Sequence, residues 1–233
     1  MKILSLCLFL FLSLFSTNSF SNDASLYEFK WLDEGETVYV IQNKEHVKAN
    51  SIGIDFSFID SNSSPYQDSS GFLASFTYYF SERWSMDFTY KQYNNADSDD
   101  LTNLLSADTN QVKPLVRRID AAKIVHINWI PFYGKINTFN KIFFFDWGLG
   151  VGAGQFDYSV NNETFLQKTI KFNLVEQTDT GFNFRSFLKF YTKSSITMGF
   201  EYNLSGVNTI KSADGAKEVL FFNDIMGTIG YIF

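Results

Sequence analysis

From residue 51 onward the chain alternates, in steps of two, between large apolar side chains and small or polar ones. Ile52, Ile54, Phe56 and Phe58 share one face, while Gly53, Asp55 and Ser57 share the other. This is the period of a strand, not of a helix. Phe72, Ala74, Phe76, Tyr78 and Phe80 repeat it, and a tight turn at Ser81-Glu82-Arg83 leads into Trp84, Met86, Phe88 and Tyr90. In a fourth stretch Ile119, Ala121, Val125, Ile127 and Trp129 oppose Asp120, Ala122, His126 and Asn128. Lys123 falls on the apolar face of that stretch, through a bulge or because the alternation itself fails there.

A turn is predicted at Pro131-Phe-Tyr-Gly-Lys135. The clearest strand follows, with Phe143, Phe145, Trp147, Leu149, Val151 and Ala153 against Asp146, Gly148, Gly150, Gly152 and Gly154. The glycines alternate within one strand and no helix follows, so they read as room for bulky neighbours, not as a dinucleotide loop. A sixth strand places Phe182, Phe184 and Leu188 opposite Asn183 and Arg185, and a seventh places Ile196, Met198, Phe200 and Tyr202 opposite Thr197, Gly199, Glu201 and Asn203. The last stretch carries Ile225, Gly227, Ile229, Tyr231 and Phe233 on one face.

These stretches predict an all-β fold, an eight-stranded antiparallel up-and-down transmembrane barrel over residues 51–233. Short periplasmic turns near 81, 133 and 192 alternate with long extracellular loops at 60–70, 92–113, 157–178 and 204–218. The piece Leu101–Leu105 reads as one or two helical turns within the second loop. A soluble barrel would turn the aromatic face inward and the charges outward. In lipid the faces reverse, and Asp55, Asp87, Lys91, Asp120, Asp146, Arg185 and Glu201 become an interior charge network, with Lys91 and Arg185 neutralising part of the acid set. An interior of this width holds side chains and leaves no open pore.

The first residues change the compartment. Lys2, an apolar run and the small residues Ser19 and Ser21 read as a secretory signal peptide over 1–21. The only cysteine, Cys7, lies within it, which leaves no thiol chemistry after cleavage. Residues 22–50 are more polar, with a short strand at Val38–Ile41, and read as a periplasmic extension tucked under or into the barrel, or as a linker. A net charge of -6 excludes a phosphate-backbone binder, so no nucleic-acid partner is expected. No cofactor and no metal site is indicated, and Asp97, Asp99 and Asp100 lack the spacing of a calcium loop.

Four segments carry a resemblance: Trp31-Leu-Asp33 with Val38–Asn43, Tyr79–Trp84, Trp129–Lys135 and Phe145–Gly154. On these the chain resembles the outer membrane beta-barrel domain family known from myxobacteria and related predatory bacteria. Where that family has a glycine-rich sixth strand ending in an aromatic pair, this chain has Gly181–Phe187. The resemblance implies fold and outer-membrane location, and no activity.

Three roles compete on this reading. The first is a structural or surface-interaction barrel, a monomer whose loops meet a partner and whose Lys113, Arg117 and Arg118 contact lipopolysaccharide phosphates. The second is a gated ion or proton path, since five inward acids face two bases. The third is a lipid-modifying enzyme, for which His126 is the histidine available in the barrel and Asn128 stands where a nucleophile would be wanted. Ile229, Tyr231 and Phe233 read both as a lipid-facing row and as an address for the barrel-assembly machinery.

Overall fold

The computed structural model describes residues 44, 46–62, 64, 66–106, 114–138, 141–161, 174–192, 195–210 and 216–233. The signal segment 1–21, the Val38–Ile41 strand and Lys113 lie outside the described residues. Eight strands follow one another in chain order: β1 (Ser51–Asn62), β2 (Gln67–Tyr79), β3 (Trp84–Asp97), β4 (Arg117–Thr138), β5 (Lys141–Val160), β6 (Val175–Tyr191), β7 (Ile196–Ile210) and β8 (Lys217–Ile232). Each pairs antiparallel with the next, and β8 returns to β1 through pairs such as Phe56↔Ile229 and Ile54↔Tyr231. The result is a closed up-and-down barrel of the outer-membrane type, without a free sheet edge.

The alternation read from the sequence sets the two faces. Phe56, Phe76, Phe88, Val151, Phe184, Phe200 and Ile229 stand exposed on the outside, while Asp55, Asp87, Asn183 and Glu201 are buried within. A ring of exposed apolar side chains around a closed barrel is a surface made for hydrocarbon, because each apolar group left in water is unfavourable. Trp84, Trp129, Trp147, Tyr231 and Phe233 mark its edge at the short-turn end, the place of an interfacial aromatic girdle. This is a membrane-spanning barrel, and barrels of this class reside in the outer membrane.

Four expectations change. The strands run well beyond the apolar belt, so 92–97, 157–160, 175–178 and 204–210, expected as loops, are paired strand. Ladder hydrogen bonds continue where lipid ends, but apolar alternation, the signal used to find strands, stops there. Among the described residues between Asp97 and β4 lies one helix, α1 (Asp99–Ser106), opened by Asp99 and Asp100, whose charges suit a helix N-terminus. Second, Pro131–Lys135 is not a turn: β4 continues to Thr138, and a register shift falls between Trp129 and Phe132. Pro131 occupies that shift, where its missing N–H costs no ladder bond. Third, Ile119, expected on the lipid face, is 1% exposed and faces inward. A second register shift, between Ile119 and Ala121, reverses the parity. Fourth, Lys123 stays on the outer face below that shift, beside Tyr90 and Gln155 in register and 3.8 Å from Asp157, at the upper margin of the belt.

The β5 glycines do make room, in two ways. A Cβ at Gly148 would meet the ring of Phe187, whereas one at Gly154 would meet the backbone of Lys123 and Ile124 in β4. A ring can pivot and a paired backbone cannot. Gly154→Ala is therefore expected to destabilise the barrel by about 1–3 kcal/mol and Gly148→Ala by less, measured by urea unfolding followed as loss of heat-modifiable gel migration.

Candidate functional site: the barrel interior and its two rims

The inward faces of β3, β4, β6 and β7 meet at the middle of the barrel. Arg185 of β6 donates to Asp87 of β3 at 2.5 Å and to Glu201 of β7 at 2.6 Å, and its guanidinium lies 5.1 Å from the centre of the Phe187 ring. Asp87 also accepts from Thr89 at 2.9 Å and from Asn128, and lies 3.3 Å from Nδ1 of His126. Nε2 of His126 is 2.8 Å from Oδ1 of Asn183, whose amide donates to Ser205 at 2.8 Å. Asn203 donates to Glu201 at 2.6 Å. These side chains belong to four strands that hold one another through the ladder, so the cluster is rigid.

Further pairs lie above and below. Lys189 donates to both oxygens of Asp55 at 3.0 and 2.9 Å and lies 3.3 Å from the Tyr79 hydroxyl. Lys91 and the Tyr93 hydroxyl both donate to Asp224 at 2.8 Å. At the short-turn mouth Lys48, buried, forms an ion pair with Asp146, which also accepts from Tyr191. The balance expected from sequence therefore changes. Among the described residues, Asp55, Asp87, Asp146, Glu201 and Asp224 meet four cations, Lys48, Lys91, Arg185 and Lys189, and not two. Asp120 is drawn elsewhere: placed at the upper bulge, it accepts from Ser159 at 2.5 Å and Asn95 at 3.3 Å.

Asp224 and Lys189 were legible in the alternation, since each shares parity with inward neighbours such as Thr228 and Arg185. Lys48 was not, because it precedes the strands and reaches the interior from a docked segment. That segment is fastened at several points. Lys44 bonds Glu82 at 2.7 Å and lies 4.7 Å from the Tyr133 ring, His46 stacks on Tyr191 at 4.7 Å, and the Lys48 and Ala49 amides each donate to Glu82 at 2.8 Å. Residues 46–50 thus tuck into the mouth, while residues 22–43 of the expected extension or linker lie outside the described residues.

At the long-loop end, apolar side chains fill the bore. Ile59, Leu73, Tyr93, Ile119, Ile124, Phe156, Tyr158, Val207, Phe222 and Met226 form one buried cluster. Above it Leu101 of α1 is buried, and Asn161 ties the approach to β4 by accepting from the Val116 amide and donating to the Pro114 carbonyl, both at 2.8 Å. The rim cations already have partners: Arg118 pairs with Asp97, Arg117 donates to Thr209 at 3.3 Å, and Lys217 pairs with Asp179 at 2.5 Å. At the seam, the Phe233 amide donates to the Ile52 carbonyl at 2.8 Å, and Tyr231 packs edge-on against Phe233, both side chains facing outward.

No protein-family model and no curated protein matches the sequence. Among solved structures the chain is similar to Neisserial surface protein A, at 10% identity and TM-score 0.43 over 78% of this chain and 95% of that one. It is similar to the attachment invasion locus protein Ail of Yersinia pestis at 14% identity and TM-score 0.36, over 78% and 97%. The N-terminal barrel domain of Pseudomonas aeruginosa OprF gives 14% and 0.40 over 79% and 98%. At these values the likeness is one of general barrel form, and no role passes from those proteins to this one.

Two outcomes follow from the interior. Arg185→Met leaves Asp87 and Glu201 without their cation and is expected to cost about 3–5 kcal/mol; adding Asp87→Asn and Glu201→Gln should recover part of it, read by denaturant unfolding in detergent. At the mouth, burial pushes the Glu82 carboxyl up, but Lys44 and the amides of Ala49 and Lys48 outweigh it and hold the group below its ordinary 4.5. A lowered carboxyl stabilises the docked segment above the ordinary value and ceases to do so as pH falls through the lowered one. Hydrogen exchange at the Lys48 and Ala49 amides, corrected for intrinsic rates, should therefore accelerate on acidification below about pH 4.5, and Glu82→Gln should abolish that dependence.

Proposed function

We propose that the chain is a closed outer-membrane barrel with a structural or surface-interaction role, without an open pore and without enzymatic activity. The observation that carries this reading is the filled bore: the apolar cluster of Ile59, Leu73, Tyr93, Phe156, Tyr158 and Phe222 lies across its outer half, and paired charges occupy the rest. An ion entering the apolar layer would lose its hydration and gain no polar partner, which costs several kcal/mol or more. The purified protein in a planar bilayer should therefore stay silent. Steady single-channel currents would overturn the reading in favour of the ion path.

His126 supports the same conclusion about chemistry. It is buried in mid-bore, and its two ring nitrogens face Asp87 and Asn183. A lipid ester at the outer rim would not reach it. Lipid mass spectra of cells expressing the protein should match those of cells expressing His126→Ala; a modified lipid lost in the variant would establish an enzyme.

On this reading the outer end is the interacting surface, presented to lipopolysaccharide and to any partner by α1 and the strand tips, with Lys113, Arg117 and Arg118 as the cations nearest that task. The chain acts as a monomer wrapped by lipid. The terminal row Ile229, Tyr231 and Phe233 serves recognition by the barrel-assembly machinery as well as lipid contact, supported by its outward aspect at the closing seam. Deleting Phe233 should lower outer-membrane levels severalfold in fractionated cells, and normal levels would remove that assignment.

A further inference from the structure

The ring of strands has uneven ends. At the short-turn end, β3 begins its pairing at Trp84↔Trp129 and β6 ends its pairing at Phe144↔Tyr191. Beyond Trp129, β4 and the start of β5 thus form a ribbon that extends past β3, bordered by β6 as far as Phe144 and two-stranded only from Ile136↔Phe143 to Thr138↔Lys141. Its outer face carries Phe132, Gly134 and Ile136 from β4 with Phe143, Phe145 and Trp147 from β5, the pairs lying opposite one another in register. As far as Ile136↔Phe143 that face carries only apolar side chains and a glycine, and the polar pair Thr138↔Lys141 ends it in the same parity. Phe132, 56% exposed, stacks on Trp147 at 5.3 Å, and the Phe145 ring covers Gly134 and meets Phe190 of β6 at 5.9 Å. The apolar belt thus continues without a break from the ring onto the ribbon.

The opposite end shows the counterpart across the barrel. Pairing of β1 with β8 stops at Asn62↔Asn223, and pairing of β6 with β7 stops at Gly181↔Val207, yet β7 and β8 stay paired out to Ile210↔Lys217. On this second ribbon Phe221 is 57% exposed, Val219 is exposed too, and Phe221 meets Phe182 at 5.9 Å, with Asn208 and Asn223 at outward positions beside them. On β1, β2 and β3, by contrast, the outward positions beyond Phe58, Phe72 and Tyr90 are Asp60, Ser70 and Gln92. The β4–β5 and β7–β8 ribbons are centred three strands apart in a ring of eight. A bilayer perpendicular to the barrel axis would leave the apolar side chains of one ribbon or the other in water.

We propose that the β4–β5 ribbon is a membrane-contact surface for the periplasmic leaflet, and that the barrel stands oblique in the bilayer, its β4–β5 side raised toward the outer leaflet and its β7–β8 side lowered toward the periplasm. Phospholipid is the occupant because the ribbon's apolar face is continuous with the lipid-facing belt, and the exposed Lys135 adds a cation at headgroup depth. The inference rests on the reading that the chain spans the outer membrane, and the test separates the two. Single cysteines replace Phe143 and Phe221 on the ribbons, Phe56 and Val151 in the belt, and Ser70 beyond it, and each carries a nitroxide in phospholipid vesicles. Relative accessibility to oxygen and to a water-soluble nickel chelate is then measured. The expected result is a lipid-like ratio at Phe143 and Phe221, equal in sign to those at Phe56 and Val151, and an aqueous ratio at Ser70. Aqueous ratios at either ribbon, with the belt positions still in lipid, would overturn the oblique orientation and leave the barrel standing. Aqueous ratios at Phe56 and Val151 would overturn both.

Discussion

A peptide group in hydrocarbon finds no water to bond, so each N–H and C=O of a membrane-crossing strand has to be satisfied by a neighbouring strand. The hydrogen bonds between β1 and β8 meet that requirement for the whole molecule, because they remove the last two edges of the sheet. Much of the architecture follows from this closure. A ring of eight strands encloses a bore only as wide as its own side chains. Every residue on the inner face must then fit against its counterparts across the bore, and every charge there must find an opposite charge within reach.

The fit is reached partly by subtraction. The glycine row of β5 leaves space that Phe187, Arg185 and His126 occupy from the neighbouring strands. Arg185 uses its planar, forked donors to hold Asp87 and Glu201 at once, which a lysine could not do with the same geometry. Buried pairs of this kind contribute modestly to stability against an apolar alternative, but they are costly to break singly. They therefore fix which strand faces which. An apolar layer lies toward the outer end and the docked Lys48 toward the inner end. What such a scaffold can offer the cell is a lipid-facing exterior and a rigidly held outer end.

The alternation of side chains carried the strand number, the sense of each strand, the two faces and most of the interior acids, because in lipid each strand must be apolar on one side and the bore is narrow enough to be read from the other. The same signal failed wherever lipid stops. Residues 92–97 and 204–210 remain in the ladder yet lose their apolar face, so they resembled loops. It failed again at the two register shifts of β4, where one extra residue reverses the parity of everything beyond it, sending Ile119 inward and allowing Pro131 inside a strand.

Pairing across the bore belonged to the tertiary structure alone. Lys91 could be assigned to the interior from its parity, but that its partner is Asp224 depends on the register around the ring, as does the meeting of Lys189 with Asp55. Lys48 depends on a segment folding back against Asp146 from outside the sheet. The sequence by itself determined a membrane barrel and the sorting of its residues into lipid and bore, since local alternation and the solvation of side chains suffice for that. Which charges meet, where the bore is closed and how far each strand projects were decided only when closure fixed the register, because those are relations between residues on different strands, up to 134 positions apart.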